Sequence, residues 1–224
     1  MAAARKRLSR EEQKARTRAR LIAGGRRVFA RRGFHRALLE EIAEEAGYST
    51  GAIYSNFQSK EDLFLAVLDE HIARRRDAVR RAVAAASTPA ERARAGADDW
   101  MRFLREEPDW YPLFMEFWAY ALRDPKLRAT AAARFAAFPR ANAQLVKEGA
   151  SRLGLELPES VAERAGTLLT ALSDGLALIR VIDPDAVPDE LFGDALAALV
   201  SLLQQAPGAD RIWSGERDRA RPAD

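Results

Sequence analysis

An all-α fold is predicted by three features of the sequence. Ala, Leu, Arg and Glu dominate the 224 residues, no run alternates strictly between apolar and polar, and Pro and Gly recur at helix-length intervals. The expected architecture is an N-terminal three-helix domain built around a helix-turn-helix, then a larger C-terminal helical bundle, with nine or ten helices in all. No internal repeat of about 20–50 residues is present, which argues against a solenoid.

The first helix is expected from about Ser9 to Arg32. Leu21, Ile22, Val28 and Phe29 supply its apolar stripe, and Gly33 ends it. A short helix from Leu38 to Glu45 buries Leu39, Ile42, Ala43 and Ala46; Gly47 turns the chain, and Ser49 is the expected N-cap of a second short helix, Thr50 to Asn56. Ser59-Lys60-Glu61-Asp62 resembles a capping box and opens a long helix to about Ala86. Thr88-Pro89-Ala90-Glu91 combines a cap, an N1 proline and an N3 acid. Pro108, Asp124-Pro125, Pro158 and Pro188 mark further starts, and Pro139 should kink or split a helix over 126–152. The expected division is a basic flexible arm over 1–11, a helix-turn-helix domain over 12–72, a helical domain over 73–206 and a poorly ordered polar tail over 207–224.

Composition excludes several classes. Hydrophobic residues make up 48% and charged residues 31%, as in globular chains rather than disordered ones. No uninterrupted apolar run reaches the roughly 20 residues that span a bilayer, and Arg5-Lys6-Arg7 follows Met1 where a signal peptide would be apolar. With no cysteine there is no disulfide and no thiolate metal site, and a cytoplasmic location is expected. His35 and His71 lack a third ligand for a metal and are expected at the surface. Paired-carboxylate, Ser-His-Asp and Gly-rich phosphate signatures are absent, so neither an enzyme nor a cofactor is expected. Charge is segregated: residues 1–36 hold 13 Lys or Arg against Glu11 and Glu12, leaving −8 for the remainder of a chain whose net charge is +3. A basic end on an acidic body suits a polyanion partner, though a solubilising tail has the same signature.

Leu38 to Phe57 has the spacing of a helix-turn-helix, whose second helix enters the major groove. Ser49-Thr50-Gly51-Ala52 are small enough to let that helix N-terminus, with its free N–H groups, come close to DNA. Ile53 and Phe57 face the core, which leaves Thr50, Gly51, Tyr54 and Ser55 outward. Lys60 opposes the dipole at the start of its helix, an objection that an external phosphate would remove.

Residues 12–70 resemble the DNA-binding domain of the TetR (tetracycline repressor) family. The matching residues are Ala23 to Phe29, Gly33-Phe34, Glu41-Ile42-Ala43, Ala46-Gly47, Ser49, Gly51, Ile53-Tyr54, Asn56-Phe57 and Lys60-Glu61-Asp62-Leu63. The resemblance implies that Thr50 and Gly51 reach base edges, with Ala52 near a thymine methyl and Ser49 and Ser55 on the same surface. It implies phosphate contacts from Tyr54, Asn56, Lys60 and, more weakly, Thr17, and a minor-groove arm of Arg5, Lys6 and Arg7. Two positions depart from the family pattern. Ala37 and Leu38 stand where a Ser or Thr usually caps the first short helix, removing a cap worth about 1 kcal/mol and one phosphate contact. Asn56 replaces the usual histidine.

Ten of the eighteen aromatic residues lie between 100 and 138. Trp110, Phe114, Phe117 and Trp118 share one helical face and, with Trp100 and Phe103, are the candidates for a ligand pocket that could take a flat or cationic molecule; core packing is the alternative for each. Glu116, among them, is expected to face solvent. Leu168, Leu172 and Leu176 on one late helix and Leu196, Leu199 and Leu203 on the next are the candidate dimer interface, which the resemblance implies is a four-helix bundle. The C-terminal domain would thus bind a ligand and dimerise. The whole implies a sequence-specific transcriptional regulator acting as a homodimer on a pseudo-palindromic double-stranded DNA operator, a repressor released by an apolar or aromatic effector. The alternative is a helical small-molecule-binding protein with weak or nonspecific DNA binding.

Overall fold

The structure, a computed structural model, describes residues 9–152 and 154–205, with only the backbone described at Leu203 and Gln204. Arg5, Lys6, Arg7, the Leu203 side chain and the tail from 206 lie outside the described residues. Those residues form ten α-helices and no strand: α1 Arg10–Arg36, α2 Leu39–Ala46, α3 Thr50–Tyr54, α4 Lys60–Ala85, α5 Pro89–Glu106, α6 Trp110–Ala121, α7 Pro125–Phe135, α8 Ala137–Arg152, α9 Glu159–Ile182 and α10 Leu191–Gln205.

Caps explain the sharpest boundaries. Ser9 with Glu12 and Thr88 with Glu91 form complete capping boxes at the starts of α1 and α5. Ser59 Oγ accepts from Asp62 N while Asp62 accepts from Gln58 N, which fixes the start of α4. Pro139 does break the expected 126–152 helix, but upstream of itself. The chain turns at Ala136 and restarts at Ala137, so Pro139 sits in the first turn of α8, where its missing N–H is not needed. Ser49 corrects its expectation: it occupies the N-cap of α3, yet its hydroxyl makes no capping bond.

The chain forms two compact units, and their composition differs from the expected cut at residue 72. One joins the residues up to His71 with Pro112–Arg128; the other joins Ile72–Tyr111 with the residues from Ala129 onward. The first unit is built on Leu21, Phe29, Phe34, Ile42, Ile53, Leu63, Phe64 and Phe117, all essentially inaccessible. Phe64 stacks on Phe117 with centroids 4.3 Å apart, and Phe34 lies edge-on to both at 5.2 Å. A ring from residue 117 thereby completes the core of the N-terminal helices. His71 is buried at 2% exposure, which overturns its expected surface position; His35 is exposed as expected.

In the second unit α5 packs on α10 and α8 on α9. Gly166 lets α9 approach α8 so closely that a Cβ there would collide with the Pro139 carbonyl and Ala143. Asp99, 1% exposed, pairs with Arg75 at 2.6 Å and with Arg102, and the Arg75 guanidinium also lies 4.5 Å above the Phe103 ring. Asn142 Nδ2 donates to Thr170 Oγ1 at 3.0 Å between α8 and α9.

Candidate functional site

The turn between α2 and α3 is set by Gly47, whose φ of 75° gives α2 a left-handed C-cap. Ile53 and Phe57 are buried beneath α3, while Ser49, Gly51, Tyr54 and Ser55 are exposed and Thr50, Ala52 and Asn56 half-buried. Tyr54, 63% exposed, is a large ring left in solvent on a five-residue helix. Of the residues expected to face outward, Gly51, Tyr54 and Ser55 do so fully and Thr50 in part. Leu38 is the N-cap of α2 and makes no side-chain cap bond, as its lack of a hydroxyl dictates.

Four basic residues near this face hold protein rather than standing free. Arg18 Nη1 donates to the Asn56 carbonyl at 2.8 Å, with its guanidinium 4.2 Å over the Phe57 ring. Arg27 and Arg31 both pair with Glu45. Lys60 Nζ donates to the His35 carbonyl at 3.0 Å and the Ala37 carbonyl at 3.3 Å, 4.9 Å above the Phe34 ring. Those carbonyls answer the dipole objection to a lysine at this position. Asn56 Nδ2 is committed to the Ala52 carbonyl at 2.8 Å, so a phosphate contact requires its amide to turn.

Tyr48, which the sequence reading passed over, joins Thr17 at the edge of this surface. Thr17 Oγ1 lies 3.5 Å from the Tyr48 hydroxyl. That hydroxyl is held below the usual tyrosine range by the Thr17 bond first and, against desolvation, by the charges of Arg20 and Arg16. Its signal in the sequence was an aromatic hydroxyl within the helix-turn-helix turn, one residue before Ser49.

Glu116 corrects a further expectation. Its carboxylate accepts the backbone N–H of Phe34 at 2.9 Å and of His35 at 2.9 Å instead of facing water. The acceptor is needed because Gly33, at φ 75° and ψ 171°, breaks the α1 ladder and leaves those N–H groups without helical partners. Lys60 takes carbonyls and Glu116 takes N–H groups of the same 34–37 turn. Tyr120, one turn along α6, donates to Glu61 Oε1 at 3.0 Å.

The six ligand candidates divide between the units. Phe117 is sealed in the first unit's core, and Phe114 and Trp118 meet edge to face at 5.5 Å in that unit. Trp100, Phe103 and Trp110 belong to the second, where Trp100 lies 5.3 Å from Phe103 and donates its indole N–H to the Ser173 carbonyl at 3.2 Å. Of the dimer candidates, Leu168 (71% exposed), Leu172 (47%) and Leu199 (50%) are open, and Leu176 and Leu196 are half-buried. Ile179 and Ile182 extend the open apolar face of α9. α9 is long and apolar enough to cross a membrane by length and composition, with mean hydropathy 1.5, so the sequence reading understated it. Its opposite face is buried through Val161, Ala162, Gly166, Thr170 and Ala177.

Comparison with known proteins bears directly on this surface. Residues 21–67 match the model of the bacterial regulatory proteins of the tetR family, and residues 89–205 match that of the BetI-type transcriptional repressor C-terminal domain. The chain belongs to the TetR family of transcription regulators: a DNA-binding helix-turn-helix protein and not an enzyme. It is 34% identical over 110 residues to the HTH-type transcriptional activator FasR of Mycolicibacterium smegmatis, covering 49% of this chain and 48% of that protein. To the HTH-type transcriptional repressor AcnR of Corynebacterium efficiens it is 32% identical over 112 residues, covering 49% and 53%. The chain thus spans about half the length of these curated relatives. Among solved structures, FadR of Bacillus subtilis in complex with stearoyl-CoA matches with TM-score 0.62 at 17% identity over 81% of this chain and 96% of that one. A regulator from Saccharomonospora viridis in complex with choline matches with TM-score 0.64 at 21% identity over 84% and 96%. These likenesses show the fold.

Proposed function

We propose that the chain is a cytoplasmic homodimeric repressor that leaves its operator when a small apolar or aromatic molecule binds the second unit. The observation that carries the DNA-binding half is the α3 surface, where Gly51, Tyr54 and Ser55 are exposed and Thr50 and Ala52 half-buried over the buried Ile53 and Phe57. A helix as short as α3 makes few base contacts, so specificity calls for two copies whose readers lie about 34 Å or a multiple apart on a pseudo-palindrome. The open leucines of α9 and α10 supply a face for that pairing. Ser49, Tyr54, Asn56, Lys60, Thr17 and Tyr48 are assigned to phosphates and the Arg5-Lys6-Arg7 arm to the minor groove.

Related regulators bound to stearoyl-CoA and to choline support a small-molecule effector, and the aromatics of the second unit support its apolar character. AcnR supports repression, while FasR is an activator. Effector binding would change the separation of the two readers through α4 and α6, helices that the chain shares between its two units. A coupling of about 1–3 kcal/mol is ordinary for such a device.

The test is fluorescence anisotropy with DNA from upstream of the chain's own gene, at two salt concentrations and with unrelated DNA as competitor. Binding that survives the competitor and strengthens at low salt is expected. If all binding is competed away and selection from a random DNA pool enriches no sequence, the chain is instead a nonspecific binder.

A further inference from the structure

The side chains on the open side of α3 decide what they can take from a base pair beneath them. From Leu39 to Ser59 the chain holds no lysine, arginine or histidine, so α2, the turn and α3 carry nothing that grips guanine O6 and N7. Arg18 of α1 and Lys60 of α4 are bonded to the Asn56, His35 and Ala37 carbonyls. Asn56, whose amide could clasp adenine, is turned inward. Its Nδ2 donates to the Ala52 carbonyl at 2.8 Å and to Ser55 Oγ at 3.2 Å, and its Oδ1 is buried with no hydrogen-bond partner. The Ser55 hydroxyl donates to the same Ala52 carbonyl at 2.9 Å. Gln58, an exposed amide, comes only after Phe57, on the turn into α4. What α3 presents is the Thr50 hydroxyl and γ-methyl, the bare backbone of Gly51, the Ala52 methyl and the Tyr54 ring. A lone hydroxyl bonds to any base edge and discriminates little.

Gly51 points the same way. The other glycines of the first unit answer to the protein itself. Gly33 and Gly47 have φ 75°, and a Cβ on Gly24 or Gly25 would lie 3.0 Å from Ala46 Cβ or 3.3 Å from Val67 Cγ2. A Cβ on Gly51 would meet nothing nearer than Ser49 Oγ at 3.7 Å, and the φ of Gly51 is not positive. Glycine also weakens a helix relative to alanine. The fold gives no reason for the missing side chain, whereas a surface that comes up against the helix backbone from outside does.

We infer that α3 reads its operator through the C5-methyl groups of thymine and not by paired hydrogen bonds to purines. Gly51 lets the helix backbone lie on the base edges, and the Thr50 γ-methyl and the Ala52 β-carbon pack on thymine methyls at the A·T pairs beneath them. The thymine methyl is the apolar feature of the major-groove edges, and its contact with carbon removes apolar area from water. The inference rests on the reading of α3 as the helix that contacts DNA, and it names the chemistry which that helix recognises.

The experiment selects duplexes from a random DNA pool with the full chain. The enriched duplex is then remade with deoxyuridine for thymidine, one symmetric pair of positions at a time. Uracil pairs as thymine does and lacks only the methyl. Fluorescence anisotropy should find one pair of positions answering to Thr50 and one to Ala52. At each, the substitution should weaken binding by about 16-fold, about fourfold for each of the two methyls lost, with little effect elsewhere. Thr50→Ser should lose the sensitivity at the first pair and Ala52→Gly at the second, while Thr50→Val keeps both; melting curves establish that each variant is folded. Gly51→Ala should melt no lower than the parent chain and bind the duplex at least about tenfold more weakly. Three results would each overturn the assignment and leave α3 a DNA reader: uracil tolerated at every position, a loss unchanged in both Thr50→Ser and Ala52→Gly, or parental affinity in Gly51→Ala. A pool that enriches no sequence would overturn the DNA-binding reading itself, and this inference with it.

Discussion

The Glu116 carboxylate occupies the space that a side chain at Gly33 would need: a Cβ placed on Gly33 would lie 2.5 Å from Glu116 Oε2. The glycine and the glutamate are therefore one device. The backbone of Gly33, in a region of φ and ψ open essentially to glycine, frees two N–H groups, and the absence of a side chain admits the carboxylate that receives them. Gly33→Ala should cost about 1–3 kcal/mol in backbone strain alone, and more because the carboxylate is displaced. Chemical denaturation would register it as a lower midpoint at unchanged slope.

Glu116→Ala attacks the same device from the other side. It leaves the Phe34 and His35 N–H groups without their acceptor, an expected loss of about 1–3 kcal/mol, with Glu116→Gln milder because its amide oxygen still accepts. Both substitutions lie far from α3 in sequence, yet operator affinity should fall with them because the 34–37 turn leads directly into α2. Unchanged stability in Glu116→Ala would show that the two bonds contribute nothing.

Lys60 has two assignments that a salt titration separates. If its ammonium serves only the His35 and Ala37 carbonyls, Lys60→Ala lowers the melting temperature and leaves the salt dependence of DNA binding intact. The expected outcome is both a lower melting temperature and a salt slope reduced by about one charge per subunit.

Asp174 gives stability a pH dependence. Burial raises its carboxyl from the ordinary 3.8 to about 6 in the folded chain, so the fold holds the proton more tightly than the unfolded chain does. The stabilisation is complete below about pH 4 and is lost as pH rises through about 6. Asp174→Asn, which carries no charge at any pH, should melt at a higher temperature than the parent chain at pH 8, and that advantage should shrink steadily between pH 6 and pH 4. A pH-independent difference would place Asp174 in water.

The open face of α9 predicts the oligomeric state. Leu172→Glu puts a charge in the middle of the Leu168–Ile179 face without touching the buried side of the helix. The expected result is a folded monomer by light scattering, with operator affinity reduced by more than about tenfold because one reader replaces two.

The helices whose ends carry capping chemistry were legible. Ser9 and Thr88 mark α1 and α5 because a cap is a local interaction within three or four residues, and Pro158 marks α9 by its fixed backbone without any cap bond. The α3 surface was legible for the same reason, since Ile53 and Phe57 fix which side faces inward. What failed was long-range. Nothing local to Glu116 reveals that its partners are backbone groups 81 and 82 residues away. The pattern around Phe117 likewise suits a pocket wall or a core equally well, and only the rings of Phe34 and Phe64 decide it. His71 lies among charged neighbours in sequence, yet α4 turns it inward. Asp174 was invisible because an acid midway along an apolar helix reads as a solubilising residue until the absence of a partner is seen.

The first unit is not contiguous in the gene. Swapping sensors among regulators of this fold by joining one protein's first 72 residues to another's remainder would therefore separate Phe34 and Phe64 from Phe117, and Gly33 from Glu116. A chimaera that works should be one in which the stretch 112–128 travels with the N-terminal helices or is rewritten to match them. Descent faces the same constraint: a change of effector specificity in α6 is confined to its first turn unless the helices that read the operator change with it.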